Sequence, residues 1–348
     1  MITRNARPLE LHRPTSSTLD GLAEALRTGA DLHASGDRRV PYALATLSSY
    51  AYADELTVAT MASRLGLEGN HCRMVSEFVD ALFISSTAFL VQSADGRVVI
   101  LVYRGTAPES LITWLADLQV DPEQITIHFR GQIVSSSVHR GFYRNARATG
   151  LEVVAGLRRA LAGQTVTVDA DGQSRPVANP MEALYITGHS LGGALAALAA
   201  LLLRSDEAHD PILSTLKGVV TFGQPMVGDP GLARLAGQDA VLARTIVRYV
   251  YGHDAVPQFP PKASGAFAHF GSEIRHTGPE IGGSWSPSGD TQQMRSLLAR
   301  LLLLGPSFLA RQLKAGRRLH FAASLDDHLP AHYMAALAPD GLRSEFGN

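Results

Sequence analysis

The chain has 348 residues, of which 45% are hydrophobic and 18% charged, and this composition excludes a disordered or collagen-like protein. Its 31 Lys and Arg residues nearly balance its 32 Asp and Glu residues, so we expect no nucleic-acid partner. The single cysteine, Cys72, excludes an internal disulfide and a cysteine-rich metal site, and the sequence predicts neither a cofactor nor a metal.

The N-terminal region contains no continuous apolar stretch of the kind that a secretory signal needs. Two apolar segments, 191–203 and 297–304, are shorter than the roughly 20 residues that span a bilayer. We therefore expect a cytoplasmic protein, with export by another route left open. Residues 1–36 are rich in Arg, Pro, Ser and Thr and predict a loosely ordered extension in which 19–26 could form a short helix. Residues 37–340 are expected to form a single domain.

From Tyr42 onward, helix and strand patterns follow one another along the chain. Tyr42–Leu65 predicts a core helix begun by Pro41, and residues 80–92 and 97–103 predict a hairpin around the turn 93–96. The later predictions are helices at 142–161 and 191–204, strands at 183–187, 216–222 and 244–251, and a surface loop or hairpin at 164–180. This alternation predicts an α/β fold with a mostly parallel central sheet covered by helices on both faces.

The strongest local signal is Gly188-His189-Ser190-Leu191-Gly192, which lies between an apolar strand and an Ala/Leu-rich helix. A turn this tight strains the backbone of its serine, and a Cβ at Gly188 or Gly192 would collide with the neighbouring strand or helix. The turn also places Ser190 at a helix N-terminus, which favours developing negative charge. The context favours a nucleophilic serine over one that only caps the helix.

A nucleophilic serine needs a histidine base and a carboxylate, which follow it in the order acid, then base in α/β-hydrolases. Asp254 follows the predicted strand 244–251 and is the favoured acid, whereas Asp229 lies in a plain turn. His328 comes after the acid on a loop before a final helix and is the favoured base, with His332 close enough to compete. The remaining downstream histidines are His253, His269, His276 and His320.

An oxyanion hole needs two hydrogen-bond donors, one of them the N–H group after the nucleophile, which is that of Leu191. The second donor comes from a loop after an earlier strand. Residues 98–106 predict such a strand and turn, in which Thr106 can offer its N–H and its hydroxyl. A Gly-Thr turn without a catalytic role is an equal alternative.

These segments together resemble the fungal-type class 3 lipase family of α/β-hydrolases, over about residues 43–337. Besides the serine turn, the matching segments are Tyr103-Arg104-Gly105-Thr106, Trp114-Leu115-Ala116-Asp117-Leu118, Val138-His139-Arg140-Gly141-Phe142, residues 221–229, Asp254-Ala255-Val256-Pro257, and His328 with Tyr333. The resemblance implies a triad of Ser190, Asp254 and His328 with oxyanion donors from Thr106 and Leu191. The apolar stretch 110–115 is the expected lid.

The sequence departs from the family pattern in two places. Met226 stands where Arg is common, and residues 284–325 form a long addition between the acid and the base. This insertion is basic and Leu-rich, since 291–325 contains six Arg and Lys residues and no Asp or Glu. We favour a packed helical hairpin broken at 305–306 over a segment that makes peripheral membrane or lipid-droplet contact.

The resemblance implies a cofactor-free serine hydrolase that cleaves carboxylic esters of lipids, as a triacylglycerol lipase or esterase, through an acyl-enzyme on Ser190. Its expected partner is a lipid ester substrate. A phospholipase or acyltransferase with the same triad is one alternative. A non-catalytic lipid-binding module on the same scaffold is another.

Overall fold

The computed structural model describes residues 21–29, 32, 37–79, 84–106, 122–129, 131–277, 283–289, 291–292, 324–340 and 342. The predicted lid at 110–115, most of the N-terminal extension and most of the insertion lie outside these residues. In the part of the chain that is described, no helix is long and apolar enough to pass through a bilayer.

The described chain forms a large sheet, a separate two-stranded sheet and the helices that cover them. The large sheet has the spatial order β1 (His71–Val79), β2 (Ile84–Gln92), β3 (Val98–Tyr103), β6 (Ala183–His189), β7 (Leu216–Phe222), β8 (Ile246–Val250), β9 (Ser272–His276) and β10 (Trp285–Ser288). The small sheet pairs β4 (Pro122–Phe129) with β5 (Gln132–His139). The helices are α1 (Leu22–Thr28), α2 (Arg39–Tyr50), α3 (Glu55–Arg64), α4 (Arg140–Ala148), α5 (Gly150–Leu161), α6 (Leu191–Ser205), α7 (Asp210–Leu213), α8 (Pro230–Gln238), α9 (Ala240–Thr245) and α10 (Pro330–Leu337).

The centre of the large sheet is parallel and both of its faces are buried. β3, β6, β7, β8 and β9 pair in parallel, while β1, β2 and β10 add antiparallel strands at the margins. Along β3, Val99 and Leu101 join the apolar cluster formed with α4 to α9, and Ile100 and Val102 join the cluster formed with α1, α2, α3 and α10. The predicted α/β-hydrolase architecture is therefore confirmed.

The structure corrects two helix predictions. The single helix predicted over Tyr42–Leu65 is two helices, α2 and α3, because Asp54 ends the intervening turn by accepting the Thr57 N–H at 2.8 Å as the N-cap of α3. The helix predicted over 142–161 is likewise divided into α4 and α5 at Thr149.

Part of the N-terminal extension is folded onto the body of the protein. Its helix α1 buries Leu22 and Leu26 almost completely in the same apolar cluster as α2. The short helix considered at 19–26 thus corresponds to α1, which adds apolar burial to the outer face of the sheet.

The parallel strands bring the predicted site residues to one edge of the sheet. Ser190 follows β6 directly, the loop that contains Thr106 follows β3, and Asp254 follows β8. Because parallel strands all end at the same edge, these residues approach one another although they lie far apart in sequence.

Candidate active site

The turn at Ser190 has the strained geometry that the sequence predicts. Ser190 has φ 59° and ψ −127°, and it is the only described residue other than glycine with a positive φ. A Cβ on Gly188 would lie 2.3 Å from the carbonyl group of Gly192, and one on Gly192 would lie 2.2 Å from the carbonyl oxygen of Tyr103. The Ser190 N–H donates to the Phe222 carbonyl at 2.9 Å, which fixes the turn to β7.

The loop after β3 packs directly against this turn. A Cβ on Gly105 would lie 2.5 Å from the carbonyl oxygen of His189, so glycine allows this close approach. The contact places Thr106, the next residue, beside the turn. On the other side, Leu191 is the first residue of α6, and the N–H groups of a first helical turn have no acceptor within their own helix. Of the predicted oxyanion donors, Leu191 thus follows Ser190 directly, and Thr106 follows the glycine that contacts the serine turn.

The predicted acid and base are hydrogen-bonded to each other in a buried environment. His328 Nδ1 lies 2.8 Å from Asp254 Oδ2, and both residues are at most 2% exposed. The other Asp254 oxygen accepts the Val256 N–H at 2.9 Å. The Tyr333 hydroxyl also donates to Asp254 Oδ2 at 2.5 Å. Burial, and then the Asp254 charge, raises the pKa of Tyr333 well above its usual value, so this hydroxyl remains a donor.

The competing acid and base have other partners. His332 lies 3.7 Å from Asp326 and stacks on Tyr251, with ring centroids 5.4 Å apart. Asp229 caps α8, accepting the Leu232 N–H at 2.8 Å. Among the remaining candidates, His269 contacts the Pro257 carbonyl, His276 stacks on Tyr251, and His320 lies outside the described residues. The structure thus pairs His328 with Asp254 and gives His332 and Asp229 other partners.

A glycine that the sequence analysis did not single out as a site residue connects the nucleophile to this pair. Gly223 has φ 58°, and a Cβ on it would lie 2.7 Å from Asp254 Oδ2 and 2.8 Å from the His328 ring. It follows Phe222, whose carbonyl holds Ser190. The sequence signal for this position was its place in the segment 221–229, which resembles the family pattern, directly after a predicted strand.

The reactive atoms of Ser190 and His328 are buried and unpaired. Ser190 Oγ and His328 Nε2 have no hydrogen-bond partner among the described residues, and Ser190 is 1% exposed. A hydroxyl, an imidazole and a buried carboxylate together with helix N–H donors can carry out acyl transfer. Within the described ranges, no group of three or more His, Cys, Asp or Glu side chains is arranged to hold a metal ion.

Comparisons with known proteins find similarity to lipases. The family model described as "Lipase (class 3)" matches residues 100–264. A lipase from Rhizomucor miehei is 31% identical over 201 residues, which cover 57% of this chain and 48% of the relative. A triacylglycerol lipase (OBL1) from Ricinus communis is 27% identical over 225 residues, covering 57% of this chain and 41% of the relative. The chain therefore matches less than half the length of these curated relatives.

Two solved structures share the fold. The triacylglyceride lipase of Rhizomucor miehei superposes with a TM-score of 0.54 at 23% identity, over 83% of this chain and 91% of that chain. The lipase of Rhizopus microsporus var. chinensis superposes with a TM-score of 0.55 at 19% identity, over 86% of this chain and 89% of that chain. At these identities the similarity establishes the α/β-hydrolase fold.

Proposed function

Because the class 3 lipase family model matches residues 100–264, we propose that the protein is a serine hydrolase of this family that cleaves carboxylic esters of lipids. The observation that supports this most strongly is the buried contact of His328 with Asp254, at the sheet edge where Ser190 occupies its strained turn. The triacylglycerol lipases among its relatives favour acylglycerols as the substrate class.

In the proposed reaction, His328 Nε2 removes the proton of Ser190 as Oγ attacks the ester carbonyl. Asp254 holds the imidazole in the required tautomer and stabilises the imidazolium that forms. The N–H groups of Leu191 and Thr106 stabilise the negative charge on the tetrahedral intermediate. His328 then protonates the departing alcohol, and water hydrolyses the acyl-enzyme by the same steps.

The burial of Ser190 requires an opening step before a substrate can bind. A residue that is 1% exposed offers no path for an ester carbonyl to reach Oγ. We propose that the segment 110–115 acts as a lid and that a lipid surface favours the open form by binding its apolar residues.

The proposal is tested by measuring hydrolysis of short-chain and long-chain p-nitrophenyl esters by the wild type and by Ser190→Ala, His328→Ala and His332→Ala. We expect Ser190→Ala and His328→Ala each to lose at least roughly a thousandfold in kcat, because each removes a group that acts in the chemical step. His332→Ala serves as the matched control and should retain activity. Circular dichroism confirms that each variant folds.

Two outcomes would contradict the proposal. Loss of activity in His332→Ala but not in His328→Ala would show that His332, and not His328, is the base. A folded wild type that hydrolyses none of the esters would remove the enzymatic function itself.

A further inference from the structure

His189, the residue before the nucleophile, contacts the backbone of the base. Its side chain is 3% exposed, and its ring centroid lies 4.5 Å from that of His328. His189 Nε2 lies 2.6 Å from the carbonyl oxygen of His328, and its Nδ1 lies 2.9 Å from the hydroxyl of Tyr52. The imidazole of His189 therefore connects Tyr52 to the residue that carries the base.

The partners of His189 fix its protonation state and tautomer. Burial, and then the nearby His328, lowers the pKa of His189 well below its usual value, so the ring stays neutral. A carbonyl oxygen can only accept, so Nε2 carries the proton and donates it to His328. Nδ1 must then accept from the Tyr52 hydroxyl. Burial raises the pKa of Tyr52, which keeps this hydroxyl protonated.

The hydroxyl of Tyr52 is itself held in place by the loop that contains Thr106. The guanidinium of Arg104 donates to the carbonyl oxygens of Ala51 and Ala53, the two neighbours of Tyr52. Gly105 passes so close to the Tyr52 hydroxyl that a Cβ would lie 2.4 Å from it. Tyr52 and His189 thus connect the loop after β3, the serine turn and the base.

The turn that carries His328 is attached to the rest of the site at both of its ends. The start of the turn is attached to the acid loop, where the Ser324 N–H donates to the His253 carbonyl at 2.8 Å and Asp327 Oδ2 accepts the His253 N–H at 2.8 Å. These contacts precede His328 in the chain. The bond from His189 acts on the carbonyl of His328 itself, at the other end of the turn.

We propose that Tyr52 and His189 are positioning residues that hold the backbone of His328 so that its imidazole is aimed at Ser190. This inference rests on the proposed hydrolase function. Asp254 fixes the imidazole of His328 through Nδ1, and His189 fixes its backbone carbonyl, so the base is held from two sides. Neither Tyr52 nor His189 takes part in proton transfer.

The test compares two variants. His189→Leu replaces the imidazole with an apolar side chain of similar bulk and so removes the donor. His189→Gln has an amide nitrogen that can donate to the same carbonyl. For His189→Leu we expect kcat on a soluble p-nitrophenyl ester to fall roughly tenfold or more, a factor typical of losing one buried hydrogen bond, with KM within about twofold. His189→Gln should recover most of this loss. Tyr52→Phe should lower kcat about threefold to tenfold, because the His189 ring then loses the hydrogen bond at Nδ1 that holds its orientation toward the His328 carbonyl.

The thermal midpoint of each variant is measured alongside its kinetics. Recovery of kcat in His189→Gln at an unchanged KM would indicate a positioning role. A purely structural role would lower the thermal midpoint without recovery of kcat by Gln. A folded His189→Leu with wild-type kcat, or a rise in KM at constant kcat, would overturn the inference. If His189→Leu does not fold, Tyr52→Phe decides, and a wild-type kcat in that variant overturns it. Absence of activity in the wild type would instead count against the proposed function.

Discussion

Three buried histidines of the described chain, His139, His189 and His269, are held uncharged by their surroundings. His139, the N-cap of α4, is 4% exposed and stacks on Phe142 with ring centroids 3.7 Å apart. Burial lowers its pKa from 6.5 to about 4. His189 and His269 are shifted in the same direction, again mainly by burial. All three side chains therefore remain neutral at neutral pH.

His139 should make the fold sensitive to acid. Because its folded pKa lies below its unfolded value, the unfolded chain binds more protons between pH 6.5 and about 4. Neutral His139 therefore contributes roughly 3 kcal/mol to the free energy of unfolding above pH 6.5. This contribution is lost as the pH falls toward 4. His139→Asn keeps a side chain that can cap α4 but removes the titration.

Denaturant unfolding of the wild type and of His139→Asn between pH 4 and pH 7.5 checks this prediction. The variant should show a smaller decrease in the free energy of unfolding over this range, whatever its stability at neutral pH. Parallel pH profiles for the two proteins would show that His139 does not contribute to acid sensitivity.

At the level of secondary structure, the serine turn depends on close contact between β3 and α6. Gly192 lies where a Cβ would be 2.2 Å from the Tyr103 carbonyl oxygen, which belongs to the strand that leads to Thr106. Gly192→Ala should therefore push the strand and the helix apart. We expect it to reduce the free energy of unfolding by about 1–3 kcal/mol and to lower kcat, because Ser190 and the oxyanion donors shift relative to each other.

Gly237→Ala is the matched control for this substitution. Gly237 lies in α8, and a Cβ there would meet no atom within 4 Å. Alanine at this position should raise the free energy of unfolding by about 0.5–1 kcal/mol and leave kcat unchanged. Equal stability and activity in the two variants would show that the close approach at Gly192 is not required.

The sequence predicted the central strands well because their patterns are local. Leu216–Phe222 was predicted with its observed bounds, and the hairpin of β2 and β3 was found from its turn at 93–96. β1 and the pair β4 and β5 were missed because apolar side chains are also exposed there, as at Met74 and Phe78 of β1 and Ile133 of β5, and this blurs the alternation that marks a strand. Edge strands are specified largely by the strands that they pair with.

The candidate site was predictable where a motif accompanies the chemistry. Ser190, Asp254 and His328 follow recognisable strand ends or precede a helix, and the structure brings them to one edge. The contact of Tyr52 with His189 could not be predicted, because the two residues lie 137 positions apart and no spacing rule relates them. Distinguishing His328 from His332 likewise needed the position of Asp254 in space.

At the scale of the whole molecule, the candidate site is buried rather than open to solvent. Ser190 and His328 are 1% and 2% exposed, although each has a reactive atom without a hydrogen-bond partner in the described part of the chain. A site of this kind reacts only during the fraction of time that it is open. We therefore expect covalent modification of Ser190 to be slow in water and faster with emulsified lipid, because the lipid surface stabilises the open form.

The most direct test of the account is to incubate the wild type with a fluorophosphonate, with and without emulsified triacylglycerol, and to locate the adduct by intact-mass and peptide mass spectrometry. We expect one adduct, on Ser190, that forms faster in the presence of the emulsion and is absent from Ser190→Ala. An adduct on a different residue, or a folded wild type that forms none under either condition, would contradict it.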